Sequence, residues 1–272
     1  METDELIWLS KSKINTLDWC QAQFYWQYIE EKRAETQPQI FGRLVHNFHE
    51  LLYKNLQISP TEAIKTSLQT IGELDEKIRP DIENIITLTL NRFELCTKKF
   101  GKKWRDYFFP KLNEVKINLP KLGLNGIVDD VFLNDDNEYV VFELKSQSQK
   151  LMNDSKRRRE MAFYKILLDN SGLLDKPVRY GVMYFSSINQ FVIEEISTRS
   201  VNAVWKRIEK ARAIIRNCEY KCEPVRWLGK GLMASKCDTC AYFDICPKDP
   251  RAVLKDENKK YLKTLVYRYR RR

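Results

Sequence analysis

The chain has 272 residues, 43% of them hydrophobic and 31% charged, with a formal net charge of +10. This is the make-up of an ordinary soluble globular protein of one large domain, or of one domain with a smaller appendage. No apolar run approaches the roughly 20 residues that a bilayer span needs, and the acidic start METDELIW is unlike a signal peptide, so the expectation is a cytoplasmic protein with no membrane segment.

Residues 10–33, SKSKINTLDWCQAQFYWQYIEEKR, read as a helix with Ser10 or Ser12 as its cap. TQPQI interrupts the pattern. FGRLVHNFHELLYKNL resumes it, and an α-rich stretch follows from about 61 to 105. From FFPKLNEVKINL through GIVDDVFLNDDNEYVVFELKS the period changes to alternation punctuated by Pro, Gly, Asn and Asp, which predicts three consecutive strands. A basic helix, NDSKRRREMAFYKILLDN, comes next, then strands at VRYGVMYFSS and QFVIEEIS and a long helix over about 199–217 in which Trp205, Ile208 and Ile215 are spaced for burial. A cysteine-bearing segment and a basic, tyrosine-rich tail close the chain. These parts divide as 1–105, 106–217 and 218–272, read as one integrated domain.

The central hairpin raises a question of charge. In a strand, Tyr139, Val141, Glu143 and Lys145 share one face and Val140, Phe142 and Leu144 the other. Ile127, Asp129, Val131 and Leu133 share a face of the preceding strand, and a short turn around 134–137 can set Asp129 near Glu143, depending on register. Two carboxylates brought together repel unless a cation lies between them, and hard divalent ions such as magnesium or manganese seek oxygen ligands. The competing reading is a cross-strand ion pair on a solvated face.

Seven cysteines in a reducing compartment point to metal binding rather than disulfides where they are closely spaced. Cys237, Cys240 and Cys246 have the spacing C-x2-C-x5-C, which suits a soft metal centre that needs a fourth ligand. Spacing leaves zinc and an iron-sulfur cluster both open. Cys218 and Cys222 are a second pair able to supply ligands, and Cys96 reads as a core thiol.

Gly126 to Asp129 followed by Glu143 and Lys145 in VVFELKS resembles the core of the PD-(D/E)xK nuclease superfamily. FGRLVHNFHELL resembles the GxxxH helix of its RecB-like branch, which implies His46 as a metal ligand, with His49 a weaker rival. Tyr164 matches the tyrosine of that branch's QxxxY motif, where Glu160 stands in place of glutamine; such a carboxylate needs a metal or a partner among Arg157, Arg158 and Arg159. Glu114 lies where relatives carry an acidic residue ahead of the GxxD strand. Cys20 before the core and three cysteines after it resemble the CRISPR-associated RecB-type exonucleases and the AddB nuclease domain, which implies a 4Fe-4S cluster on Cys20, Cys237, Cys240 and Cys246.

The resemblance therefore implies an α/β, restriction-endonuclease-like fold: a central mixed sheet flanked by helices, with a helical N-terminal half and a C-terminal iron-sulfur segment. It implies a magnesium- or manganese-dependent deoxyribonuclease, favouring single-stranded ends, in DNA repair or CRISPR-type processing. His46, Asp129, Glu143 and the backbone carbonyl of Leu144 would hold the metal, Lys145 would act beside the attacking water, and Tyr164 would help position the site. The cluster would staple the two ends of the core. Arg157, Arg158 and Arg159 would contact the DNA backbone, and the tail tyrosines, Tyr261, Tyr267 and Tyr269, could stack on bases. No GxxxxGK[ST] stretch occurs, so a helicase, CRISPR or repair partner would be a separate chain, and a homo-oligomer is compatible with the sequence. The alternatives are a non-catalytic DNA-binding subunit and an RNA-directed nuclease.

Overall fold

The computed structural model describes residues 8–32, 34, 37–56, 59–72, 74–146, 154–222, 225–229, 232–235, 240–242, 245–246 and 265–268. Two compact units are present, Gln37–Val204 and a second that combines Met1–Thr36 with Trp205–Arg272.

The second unit begins with helices α1 (Lys11–Trp19) and α2 (Gln21–Phe24) and a π-helical turn at Tyr25–Ile29. Ser10 caps α1 by accepting from the Lys13 N–H. The single helix expected over 10–33 is instead split at Cys20, whose backbone is extended (φ −161, ψ 116). That residue thereby stands at a junction and not on a helix face.

In the first unit α3 (Gln37–Asn55) starts inside the TQPQI segment, with Pro38 in its first turn. Proline is tolerated there because a first-turn N–H has no intrahelical partner. Helix α4 (Pro60–Ile71) has Ser59 as cap and ends at Gly72 (φ 77), and α5 (Arg79–Phe100) and α6 (Trp104–Phe108) complete the helical half.

The three predicted strands form as β1 (Leu112–Leu119), β2 (Leu124–Leu133) and β3 (Tyr139–Lys145). Asn134 shapes the β2–β3 turn: its Oδ1 accepts from the N–H groups of Asp136 and Glu138, and Asn137 takes the left-handed conformation (φ 59). Helix α7 (Asp154–Asp169) then leads to β4 (Tyr180–Phe185) and β5 (Gln190–Glu195). The sheet runs in the order β1-β2-β3-β4-β5, antiparallel except for the parallel β3–β4 pair that α7 connects. It is a mixed five-stranded sheet flanked by helices, as expected from the sequence.

One sheet face is covered by α7, which passes so close that a Cβ on Gly126 would lie 2.7 Å from Leu167 Cδ1 and one on Gly181 2.7 Å from Met161 Cγ. Glycine at these strand positions is what admits the helix. On the other face Phe132, Phe142, Leu144 and Tyr184 join Val45, Phe48, Leu52 and Tyr53 of α3 and Ile82, Ile85 and Cys96 of α5 in one apolar core. Cys96 is thus the core thiol its sequence context suggests.

Helix α8 (Thr198–Asn217) buries Ile208, Ala211 and Ile215, while Trp205 is half-buried. Within the second unit Phe24 and Tyr25 pack their rings on Tyr220, and Arg207 Nε donates to Asp18 Oδ2 at 2.7 Å. Strands β6 (Glu219–Cys222), β7 (Val225–Gly229), β8 (Leu232–Ser235) and β9 (Leu265–Arg268) make two antiparallel pairs, β6–β9 and β7–β8. Part of the basic tail is therefore a strand; Tyr261 and Tyr269 lie outside the described residues. Among the described residues no helix is long and apolar enough to cross a membrane.

Candidate metal centre

Register fixes the site. The pairs Asn113↔Asp130 and Val115↔Val128 set Glu114 across from Asp129, and the pair Asp130↔Phe142 sets Asp129 across from Glu143. Three adjacent strands therefore present three carboxylates in a row. Asp129 is tied down by the Leu144 N–H, which donates to its Oδ2 at 2.8 Å. Glu114 has a left-handed backbone (φ 47), a conformation that strains a residue with a Cβ and that clusters at functional sites.

Helix α3 delivers the nitrogen. His46 Nδ1 stands 3.6 Å from Glu114 Oε1 and 3.7 Å from Asp129 Oδ2. Among the described residues these three side chains are the group able to share a metal ion, with one donor atom each, all within 4.8 Å of one another. Glu114 Oε1 is buried and lacks a hydrogen bond of ordinary length. Burial alone would push the His46 pKa down, but Glu114 beside it and the charges of Asp129 and Glu143 outweigh that and raise it above the usual 6.5. One imidazole and clustered carboxylates are a donor set that suits magnesium or manganese, and a cation there would relieve their mutual repulsion.

Glu143 and Lys145 lie next to this group. The ammonium contacts Glu143 and lies 2.9 Å from Glu160 Oε2 on α7. Burial opposes its charge, but those two carboxylates prevail and hold the Lys145 pKa above its ordinary value. Tyr164, one helical turn after Glu160, is buried; burial first, then the charges of Glu143 and Asp129 and a hydrogen bond with Glu143, keep its hydroxyl protonated. The backbone of Lys145 lies beside a buried polar group. Ser186, just past β4, lies with its Oγ 3.1 Å from the Lys145 carbonyl and donates to buried Asp81 of α5, and Asn84 donates to the Ser186 carbonyl at 2.7 Å.

The α7 arginines have partners on α7 and β5. Arg157 is 8% exposed and pairs with Asp154 at 2.7 Å and Glu194 at 3.2 Å. Arg158 is exposed and donates to Glu194, and Arg159 donates to Ser155 Oγ. Thus Glu160 stands beside Lys145, and Arg157 is held in ion pairs with Asp154 and Glu194.

His49 faces the core. Its Nε2 lies 3.4 Å from Asp130 Oδ2, its ring stacks on Phe142, and burial holds its pKa down to about 3. Burial likewise raises Asp130 from 3.8 to about 8, against the hydrogen bond it accepts from Asn113 and helped by the Asp129 charge. A raised carboxyl stabilises the fold fully below its unfolded pKa of 3.8 and loses that contribution as pH rises through about 8. Asp130→Asn, which cannot ionise and can still accept from Asn113, is expected to gain stability relative to wild type, by a few kcal/mol, as pH rises from about 4 to 9. Melting temperatures across that range in the presence of a chelator check this; parallel curves would contradict it.

The cysteine series is incompletely described. Cys237 lies outside the described residues, and Cys20, Cys240 and Cys246 do not converge as tightly as ligands of a single ion. Burial raises the Cys240 thiol pKa, a backbone hydrogen bond lowers it, and the neighbouring Cys20 and Cys246 add to the rise.

Two participants escaped the site assigned from sequence. Glu114 lies where relatives carry an acidic residue ahead of the GxxD strand but is absent from the ligand set that the resemblance implies, and nothing in its strand announces its left-handed backbone. The Asp81–Ser186 contact joins residues 105 apart and has no local signal.

No curated protein matches the chain. The crystal structure of SSO0001 is similar to it at 15% identity over 91% of this chain and 88% of that one, with a TM-score of 0.37, a likeness too loose to bear on the site. A family model described as the PD-(D/E)XK nuclease superfamily matches residues 8–247. With that match spanning the carboxylate row, the Glu143–Lys145 pair and the cysteine segment, the chain belongs to the PD-(D/E)XK nuclease superfamily.

Proposed function

We propose that the protein is a metal-dependent deoxyribonuclease of the RecB-like branch, an exonuclease favouring single-stranded ends. The convergence of His46, Glu114 and Asp129 beside Glu143 and Lys145 carries the metal-dependent nuclease reading, and the DNA substrate, the exonuclease mode and the preference for single strands rest on the RecB-like resemblance. His46, Glu114, Asp129 and Glu143 would hold magnesium or manganese, with the Leu144 carbonyl a further oxygen at the same strand end. A bound cation supplies Lewis-acid stabilisation of the charge that develops on the scissile phosphate. The rest is done by the chain. Lys145 donates to the phosphate or to the attacking water, whose oxygen bonds to phosphorus as the bond to the leaving sugar oxygen breaks. Tyr164 holds the Glu143 carboxylate in place through its hydroxyl.

We infer further that Cys20, Cys237, Cys240 and Cys246 hold a 4Fe-4S cluster that acts as a staple, a reading that rests on the resemblance of this cysteine series to the CRISPR-associated RecB-type exonucleases and the AddB nuclease domain.

Incubation of end-labelled single-stranded DNA, duplex DNA and RNA with anaerobically purified protein tests the activity. The expected result is cleavage of DNA with magnesium or manganese, fastest on single strands and absent with chelator. Cleavage of RNA alone, or chelator-resistant cleavage, would contradict it.

A further inference from the structure

We propose that Glu160 is a positioning residue that retains Lys145 in the site when Glu143 is engaged by a divalent cation, an inference that rests on the metal-dependent reading above. Lys145 Nζ has two acidic neighbours of different origin: Glu143, two residues back on its own strand, and Glu160 Oε2, 2.9 Å away on α7. Only one of the two adjoins the His46–Glu114–Asp129 group through strand register. A cation held by that group draws on the Glu143 charge and repels the ammonium beside it. Glu143 thereby loses its hold on Lys145 at the moment the lysine is needed.

Glu160 answers both effects. It is 4% exposed, so its charge is poorly screened, and it sits on a helix that the close approach at Gly126 and Gly181 fixes against the sheet. Arg157 and Arg158 pair with Glu194 on β5, and Arg159 donates to Ser155 Oγ. A glutamine there would keep the shape of the side chain and lose the charge that attracts the ammonium across this 2.9 Å ion pair. The carboxylate at a position where the resembling motif has glutamine therefore has a specific task in this chain.

The test reads the lysine directly. Wild type and Glu160→Gln are treated with an amine-acylating reagent, with and without magnesium, and labelling of Lys145 is followed by mass spectrometry; manganese binding is measured in parallel. Lys145 in wild type is expected to label slowly in both conditions, and in Glu160→Gln several-fold faster only when magnesium is present. In cleavage assays Glu160→Gln lowers kcat about tenfold to a hundredfold with KM for DNA unchanged. Glu160→Ala added to Lys145→Ala costs nothing further. Magnesium-independent labelling in Glu160→Gln, or a further loss in the double variant, overturns the proposal while leaving the nuclease reading intact. Absence of manganese binding to wild type overturns both.

Discussion

Lys145→Ala lowers metal-dependent cleavage by about 10²–10³-fold, the scale seen when one donor to a developing oxyanion is removed. The side chain is mostly buried between Glu143 and Glu160, so its loss also leaves two carboxylates facing each other with no cation between them. Breaking a buried pair in this way is destabilising. The variant is therefore expected to melt below wild type in chelator and to recover most of that loss in magnesium, because a divalent cation can take over the charge balance. DNA affinity, measured with calcium in place of magnesium, stays near the wild-type value. Full cleavage by the variant would remove Lys145 from the chemistry.

Cys240→Ala strips iron from anaerobically purified protein and lowers the melting temperature by about 10 °C or more, given that a few kcal/mol moves a domain of this size by several degrees. The effect exceeds that of losing a half-buried thiol because the cluster would tie Cys20, at the junction of α1 and α2, to a segment more than 200 residues later. Visible absorption and iron content report the cluster, and calorimetry reports the staple. Unchanged iron and melting temperature would end the iron-sulfur reading; equimolar zinc in wild type would replace it.

Much of this site lies close to the surface of the sequence. Alternation puts Glu143 and Lys145 on one strand face, and the Asn134 turn sets the register that brings Asp129 across from Glu143. The switch from helical to alternating period marks the helical half and the three strands. His46 is another matter, since a histidine on an amphipathic helix carries no signature, and only the GxxxH resemblance singled it out. Glu114 needed the β1–β2 register and a left-handed backbone, and neither is written in local composition. The partner of Glu160 depends on how α7 lies across the sheet, which follows from the missing side chains at Gly126 and Gly181. Sequence spacing suggested the neighbouring arginines, yet Arg157 and Arg158 are drawn to Glu194 on β5, 36 or more residues away.

Titration of manganese into wild type and Asp129→Ala, followed by calorimetry, tests most directly whether the carboxylate row exists to hold a cation. Asp129 lies across from both Glu114 and Glu143 and 3.7 Å from His46. Binding by wild type that is lost in Asp129→Ala, with the variant still folded by circular dichroism, is the expected result. Equal affinity in the two proteins would contradict it and would move any metal site away from this row.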